Sequence, residues 1–290
     1  MVWPMRQGGL CVAYQYQPRR CRRVGRPSCS PLRAQAHVIQ AASWGWEMID
    51  LRCGRYQDVL ADVETCDAVI CDPPYSERTH AGMRVGDALT GSGNPYVRGG
   101  VVYAKWSDDD AVEFVNSWSF RCRGWIVVIT DHLLAPVFLN AMDRSGRYAF
   151  PPIPFVEMGK QPRLSGDGPA SWTCWLAISR PKSSDFMGWG SLPGAYVPPT
   201  GCGIQNDRVI KGGKPSWLMR SIIRDYSRPG DLIVDPCAGG ATTLISAAIE
   251  GRRAIGSEMD ETTFKKAQAR ISAGYTPLID FDKFTPRPAA

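Results

Sequence analysis

The sequence predicts an α/β protein built on a doubly wound, mostly parallel sheet, and three observations indicate this fold class. Short apolar runs that suit buried strands alternate with segments of helical periodicity. Two of these runs end in a carboxylate followed at once by proline, at Asp72 and at Asp235. The length of 290 residues is enough for one sizeable core, and no apolar run approaches membrane-spanning length.

Residues 1–43 differ in composition from the rest of the chain. They contain seven arginines and no Asp or Glu, whereas the whole chain has a net charge of +6, so the remainder carries −1. We expect a disordered basic tail outside the fold; a phosphate-binding arm, a transit-like segment and a start site placed too far upstream are alternatives. Because the remainder is nearly neutral, any surface for nucleic acid on it must be local.

The predicted folded domain covers residues 44–275, and its first half begins with a strand and a short helix. A run that ends at Asp72 predicts the next strand, and a capping box at Ser107 and Asp110 predicts that a helix starts there. The other elements predicted in this half are strands over Trp46–Leu51, Trp125–Ile129, Tyr148–Val156 and Thr173–Ile178, and helices through Val59 and Leu60 and through Leu134 and Met142.

The sequence of the second half of the domain predicts a helix and then a strand–turn–helix–strand–helix unit. A helix opens at Pro215, a buried strand covers Leu232–Asp235, and a glycine turn follows it. The strand Ala254–Ser257 ends at a glutamate, and a last helix begins at a cap on Asp260.

Three further segments have no clear period. Residues 76–106 are rich in glycine, and a loop of this length beside a candidate site suggests a mobile lid over a substrate. Residues 181–213 are rich in Gly and Pro and predict either a short target-recognition segment or a plain linker. Residues 276–290 are expected to form a C-terminal tail.

The stretch Asp72-Pro73-Pro74-Tyr75 is a candidate catalytic turn. Prolines cannot donate to a sheet ladder, so the chain must leave the sheet here with its side chains on a stiff turn. The carboxyl ends of strands are where open α/β sheets place their chemistry. An ordinary strand-ending turn with a capping Asp is the alternative.

A second candidate site follows the strand that ends at Asp235. The glycine turn lets a ligand approach the backbone in front of a helix N-terminus. Glu258 ends the next strand about twenty residues after Gly239, which is the spacing of a ribose-binding acid. The pattern suits a nucleoside-type cofactor, but it does not match the G-x-G-x-x-G motif of a dinucleotide site.

Taken together, the two motifs resemble those of the DNA amino methyltransferases. Asp72 to Tyr75 resembles the catalytic motif, and residues 235–243 resemble the cofactor motif Asp-Pro-Phe-x-Gly-x-Gly-Thr-Thr, with Cys237 in place of Phe and Ala241 in place of the second Gly. The catalytic motif comes first, which is the permuted order of the β group. The resemblance implies a Rossmann-like methyltransferase fold that binds S-adenosylmethionine.

The resemblance also implies roles for individual residues. Lys214 and Pro215 match the end of an element that holds the methionine part of the cofactor, and the methyl group of Ala241 is expected to crowd the cofactor. The implied catalytic residues are Asp72, Pro73, Pro74 and Tyr75. The implied cofactor-binding residues are Lys214, Pro215, Asp235, Pro236, Cys237, Ala238, Gly239, Thr242, Thr243 and Glu258.

The implied activity is methyl transfer to the N6 amine of adenine in double-stranded DNA, with the target base flipped out of the helix. Methyl transfer to N4 of cytosine is the alternative, and a catalytically weak DNA-binding protein with the same fold is an alternative of another class. Ten cysteines without a Cys-x-x-Cys pair argue against zinc, so no metal is expected. A cytoplasmic location in a bacterial or phage-infected cell is expected, whereas the sequence determines neither the recognition site nor the oligomeric state.

Overall fold

The structure is a computed structural model that describes residues 48–79, 105–157, 168–169, 171–198, 210 and 212–274. The predicted tails, residues 1–43 and 276–290, lie outside the described residues. The same holds for most of the predicted lid and for part of the 181–213 segment.

The described residues form alternating strands and helices, as the sequence predicts. The strands are β1 Ile49–Cys53, β2 Cys66–Cys71, β3 Cys122–Thr130, β4 Tyr148–Ala149, β5 Ile153–Val156, β6 Thr173–Arg180, β7 Leu232–Asp235 and β8 Arg253–Glu258. The α-helices are α1 Tyr56–Val59, α2 Asp108–Ser119, α3 Leu134–Arg144, α4 Ser216–Tyr226, α5 Thr242–Ile249 and α6 Glu261–Ala273.

The strands form one sheet in the order β1-β8-β7-β2-β3-β6-β4, and β5 also pairs with β6. The five strands from β1 to β3 in this order are parallel, whereas β6 runs antiparallel to β3, β4 and β5. The predicted fold class, a mostly parallel doubly wound sheet, is confirmed.

Helices cover both faces of the sheet because its central strands are apolar on both sides. In β2, Ala68 and Ile70 pack into the cluster that contains α4 and α5, whereas Val69 and Cys71 pack into the cluster that contains α2 and α3. This alternation is the period of two of a strand buried on both faces.

Several local predictions are confirmed, and one strand divides in two. Ser107 and Asp110 form both hydrogen bonds of the capping box, and Asp260 caps α6. The predicted strand Tyr148–Val156 is instead two short strands, because the two prolines between β4 and β5 cannot donate to a sheet ladder.

The chain reverses its direction of travel across the sheet between β2 and β7. From β2 it continues to β3 on one side, and from β7 it continues through α5 to β8 on the other side. The two strands are direct parallel neighbours, with Val69 opposite Val234. A crevice at the carboxyl ends of such a pair is where open α/β sheets bind ligands.

Candidate active site

A cavity of about 690 Å³ lies at the carboxyl ends of β2 and β7. The turn Asp72–Tyr75 forms one wall, and residues 235–243, apart from Ala241, form another. Lys214 and Glu258 also line the cavity. The structure therefore brings the two sequence motifs to one space, which has the volume of a small-molecule or cofactor site.

The Asp72 carboxylate is held by a lysine from the opposite wall. The Lys214 ammonium nitrogen lies 2.5 Å from Asp72 Oδ2, and the two side chains are 8% and 22% exposed. The other oxygen, Asp72 Oδ1, is buried without a hydrogen bond of good geometry among the described residues. Asp72 Oδ1 is therefore a buried acceptor on a residue that lines the cavity.

Burial and charge act in opposite directions on this ion pair. Burial raises the pKa of Asp72 above its ordinary value, while the charge of Lys214 acts to lower it. Burial is the largest single effect and would lower the pKa of Lys214, but the negative groups around it, led by Asp72, together raise that pKa above its ordinary value. The lysine is therefore positively charged at neutral pH.

Tyr75 presents its ring to the same lysine. The ammonium nitrogen lies 5.0 Å from the ring centroid, within the range of a cation–π contact. The backbone carbonyl of Tyr75 accepts a hydrogen bond from the Trp106 amide at 3.2 Å. The aromatic residue is thus fixed at the cavity wall through its backbone.

The glycine turn after β7 begins with a buried carboxylate. Asp235 is 1% exposed, and its Oδ1 accepts a hydrogen bond from the Cys237 amide at 3.1 Å. Burial raises the pKa of Asp235 to about 7, although a hydrogen bond from Thr243 opposes this. Gly239 has a φ of 52°, in the left-handed region that favours glycine.

Ala241 is the only non-glycine residue with positive φ in the described part of the chain, at φ 60° and ψ 26°. The left-handed conformation costs an L-residue about 1 kcal/mol or more. Its side chain is fully buried in the core and does not line the cavity. The expectation that this methyl group crowds the cofactor is therefore wrong; the substitution acts on the backbone instead.

Glu258 lies at the carboxyl end of β8, beside the glycine turn, and burial raises its pKa. Its Oε1 accepts a hydrogen bond from the Asp260 amide at 2.8 Å, which orients the side chain. Arg270 supports the turn with hydrogen bonds of 2.8 Å to the Gly240 carbonyl and 2.9 Å to the Thr242 hydroxyl.

Pro215 is the one predicted site residue that does not line the cavity. It is the N-cap of α4, and its carbonyl accepts the Leu218 amide at 3.1 Å. Because its ring fixes φ near −68°, it sets the direction in which the chain leaves Lys214. Its position supports the lysine rather than a direct ligand contact.

Residues 181–198, 210, 212 and 213 of the candidate recognition segment are described; none of residues 181–198 lines the cavity, whereas Ile210, Gly212 and Gly213 do. Trp189 packs on Trp125 and donates from its indole nitrogen to the Asp225 carbonyl at 2.8 Å. The Tyr196 hydroxyl donates to Asp225 Oδ2 at 2.6 Å. This part of the segment, residues 181–198, is anchored to the core through Trp189 and Tyr196.

Sequence reasoning missed Asp131, which directly follows β3 and binds the residue after the catalytic turn. A signal was available, because Asp131, like Asp72, directly follows a buried strand, and Asp235 ends one. Sequence reasoning also missed Glu157 and Met219 in the cavity lining, for which no local pattern gave a signal.

The mostly parallel sheet and the crevice at its carboxyl edge are those of a Rossmann-like methyltransferase fold. Comparisons with solved structures agree with this fold. The solved structure of PvuII DNA methyltransferase (cytosine-N4-specific) matches with a TM-score of 0.55 and 16% identity, covering 81% of this chain and 89% of that one. The M1.HpyAVI–SAM complex matches with a TM-score of 0.53 and 18% identity, covering 77% and 100%. At such low identity these likenesses demonstrate the fold alone.

The family-model match concerns the cofactor-side half of the site. A family model described as DNA methylase matches residues 203–269. The DNA adenine methyltransferase YhdJ of Escherichia coli (strain K12) is 40% identical over 58 residues, or 20% of this chain and 20% of that protein. These matches confirm the resemblance to the amino methyltransferases. The chain spans about a quarter or less of the length of the curated relatives that it matches.

Two kinds of feature are absent from the described residues. Within them no helix is both long and apolar enough to cross a membrane. Nor do they contain a cluster of three or more His, Cys, Asp or Glu side chains that could hold a metal ion.

Proposed function

We propose that this protein is a DNA methyltransferase that transfers a methyl group from S-adenosylmethionine to the N6 amine of adenine. One observation carries the proposal. The Asp72 side chain and the glycine turn after β7 line the same cavity. One wall suits a nucleoside-type cofactor and the other suits an amine, as methyl transfer between them requires.

The cofactor wall fits S-adenosylmethionine in the chemistry of its residues. When bound, S-adenosylmethionine supplies an electrophilic methyl group on a sulfonium. The bare backbone at Gly239 lets a ligand approach closely. Glu258 offers a carboxylate for ribose hydroxyls, and Asp235 keeps the turn in shape through the Cys237 amide. We propose that the turn from Asp235 to Thr243 holds the cofactor.

Asp72 is the proposed catalytic residue. An exocyclic amine on a base is a weak nucleophile because its lone pair is delocalised into the ring. The Asp72 oxygen and the Pro73 carbonyl would accept hydrogen bonds from the two amine hydrogens and direct the lone pair out of the ring plane. Acceptors that are positioned in advance in a cavity shielded from water supply electrostatic stabilisation without reorganisation. Tyr75 offers a ring face on which the base would stack.

Lys214 acts between the two walls in this proposal. Its ammonium pairs with Asp72 Oδ2 and opposes the rise in the Asp72 pKa that burial causes, which favours the ionised carboxylate. A role at the methionine end of the cofactor, as the resemblance implies, remains a prediction. The lysine lines the cavity next to Gly213, which is compatible with both roles.

The proposed substrate is double-stranded DNA with the target base flipped into the cavity, because an amine inside the base stack cannot reach a buried cofactor. Adenine is proposed as the base and cytosine N4 is the alternative; relatives named for each are found. A cytoplasmic location is part of the proposal. The oligomeric state is left open.

The proposal is tested by expressing the full chain in a host that lacks DNA methylation and mapping modified bases by single-molecule sequencing. N6-methyladenine at a defined sequence is the expected result, and N4-methylcytosine would favour the alternative base. Calorimetry with S-adenosylhomocysteine separates an enzyme from a binding protein. DNA binding without saturable uptake of this ligand, together with unmodified DNA, would overturn the proposal.

A further inference from the structure

The Asp131 carboxylate lies behind the catalytic turn, outside the cavity lining. It follows β3, the strand next to β2, and is 4% exposed. A buried carboxylate is costly unless hydrogen bonds compensate for lost solvation. The hydrogen-bond partners of the Asp131 carboxylate therefore indicate which parts of the chain it holds together.

Five donors from two segments of the chain converge on this carboxylate. Oδ2 accepts from the Ser76 amide at 2.9 Å, from the Ser76 hydroxyl and from the Thr79 hydroxyl at 2.6 Å. Oδ1 accepts from the amides of Leu133 and Leu134, both at 3.0 Å. Because all of these partners are donors here, the site requires an ionised acid, which bridges the end of the catalytic turn to the start of α3.

The bridge acts directly on Tyr75. The Ser76 amide belongs to the same peptide unit as the Tyr75 carbonyl, and that carbonyl accepts the Trp106 amide at 3.2 Å. One planar peptide is thus held on both sides, by Asp131 at its N–H and by Trp106 at its C=O. This fixes the direction in which the tyrosine leaves the turn.

We propose that Asp131 is a positioning residue for the catalytic turn, which it holds through the Ser76 amide without touching substrate or cofactor. The expected loss of kcat rests on the proposed function. The expected loosening of the turn does not. A displacement of about 1 Å at a reacting centre can cost about a hundredfold in rate. Loss of the anchor should therefore lower kcat and leave cofactor binding intact.

The first test measures hydrogen exchange of the turn in full-length Asp131→Asn. Asparagine has one acceptor oxygen, so its NH2 group must face donors either on the Ser76 side or on the Leu133 and Leu134 side, and in both orientations the bridge between the turn and α3 is broken. We expect exchange in a peptide covering residues 72–79 to accelerate at least tenfold, the order of one lost charge-assisted hydrogen bond. The matched control is Asp67→Asn, because Asp67 accepts the Leu232 amide at 2.8 Å from the other end of β2. Unchanged exchange in residues 72–79 would overturn the proposal.

The second test is kinetic. Asp131→Asn should lower kcat for methyl transfer by about thirtyfold or more, with the Kd for S-adenosylhomocysteine within about threefold of wild type. Ser76→Ala combined with Asp131→Asn should cost little beyond Asp131→Asn alone, since the hydroxyl that Ser76→Ala removes acts on the turn through the Asp131 carboxylate. Equal losses of cofactor affinity and of kcat would indicate general damage and refute the positioning role.

The two tests also separate this inference from the proposed function. If the wild-type protein transfers no methyl group, the proposed function fails, and the exchange measurement alone decides whether Asp131 holds the turn. If wild type is active but Asp131→Asn keeps its kcat within about twofold, the positioning role fails while the proposed function stands.

Discussion

The Lys214 ammonium and the Asp72 carboxylate are 2.5 Å apart, although 142 residues separate them in the chain. The pair joins the catalytic turn to the segment that leads into α4. In a buried ion pair, removal of one partner leaves an uncompensated charge and costs more than the pair itself contributes. Removing the charge of Lys214 should therefore change the ionisation of Asp72, and removing the charge of Asp72 should affect Lys214.

The first prediction concerns the pH dependence of catalysis. Lys214→Met removes the charge that opposes the effect of burial, so the pKa of Asp72 rises further. Because the ionised carboxylate is the proposed active form, the acidic limb of the kcat–pH profile should shift to higher pH. The free energy of unfolding should fall by about 3 kcal/mol at pH 8, as for other broken buried pairs.

The control for this prediction is Lys105→Met. Lys105 lines the same cavity, but its ammonium pairs with Glu77 and its side chain is 40% exposed. Its removal should leave the acidic limb where it is. A Lys214→Met enzyme with an unmoved limb would mean that the lysine does not set the charge state of Asp72.

The second prediction separates the roles of the two walls. Asp72→Ala removes the proposed acceptor for the amine but no atom of the glycine turn. We expect methyl transfer to fall by about a thousandfold or more, while the Kd for S-adenosylhomocysteine changes by less than about threefold. Simultaneous loss of binding and turnover would contradict this division of labour.

The third prediction concerns the pH dependence of stability. Burial raises the pKa of Asp235 to about 7, so the folded state binds a proton more tightly than the unfolded chain does. The stabilisation from this group is therefore complete below about pH 4 and is lost as the pH rises through about 7. Asp235→Asn keeps an acceptor for the Cys237 amide and has no charge to bury.

We expect Asp235→Asn to be more stable than wild type at pH 8, by up to about 4 kcal/mol, since the rise in pKa is about three. The difference should vanish near pH 4. Urea denaturation from pH 4 to pH 8 measures it, with Asp185→Asn on the surface as control. A variant that is less stable than wild type at pH 8 would show that the carboxylate charge is needed in the fold.

The fourth prediction tests the close contact between β8 and the glycine turn. A Cβ atom on Gly256 would lie 2.9 Å from the Asp235 carbonyl oxygen and 3.0 Å from both methyl groups of Leu244. Gly256→Ala should destabilise the protein by about 1–3 kcal/mol and weaken binding of S-adenosylhomocysteine, since the turn must shift.

Gly194→Ala is the matched control, because nothing lies within 4 Å of a Cβ atom at that position. Chemical denaturation and calorimetry on both variants give the comparison. If the two alanine variants behave alike, the tight packing of β8 against the turn does not constrain the cofactor wall.

The sequence alone predicts the elements whose signals are local. The two prolines after Asp72 end a strand whatever the tertiary structure around them. The capping box at Ser107 likewise starts a helix from four consecutive residues. The prediction for Ala241 failed for a related reason. Sequence identifies a methyl group at a glycine position, but only the backbone conformation determines where that methyl group points.

The tertiary structure alone decided which groups meet. No local pattern pairs Lys214 with Asp72 or joins Asp131 to Ser76, because these contacts depend on the order of strands in the sheet. Segments distant in the chain become neighbours when β2 pairs with both β3 and β7. Hydrophobic period and turn chemistry act over a few residues, whereas the order of strands is set by the burial of whole sheet faces. The sequence by itself therefore determined the parts of the site, and the packing of the sheet determined how those parts are arranged.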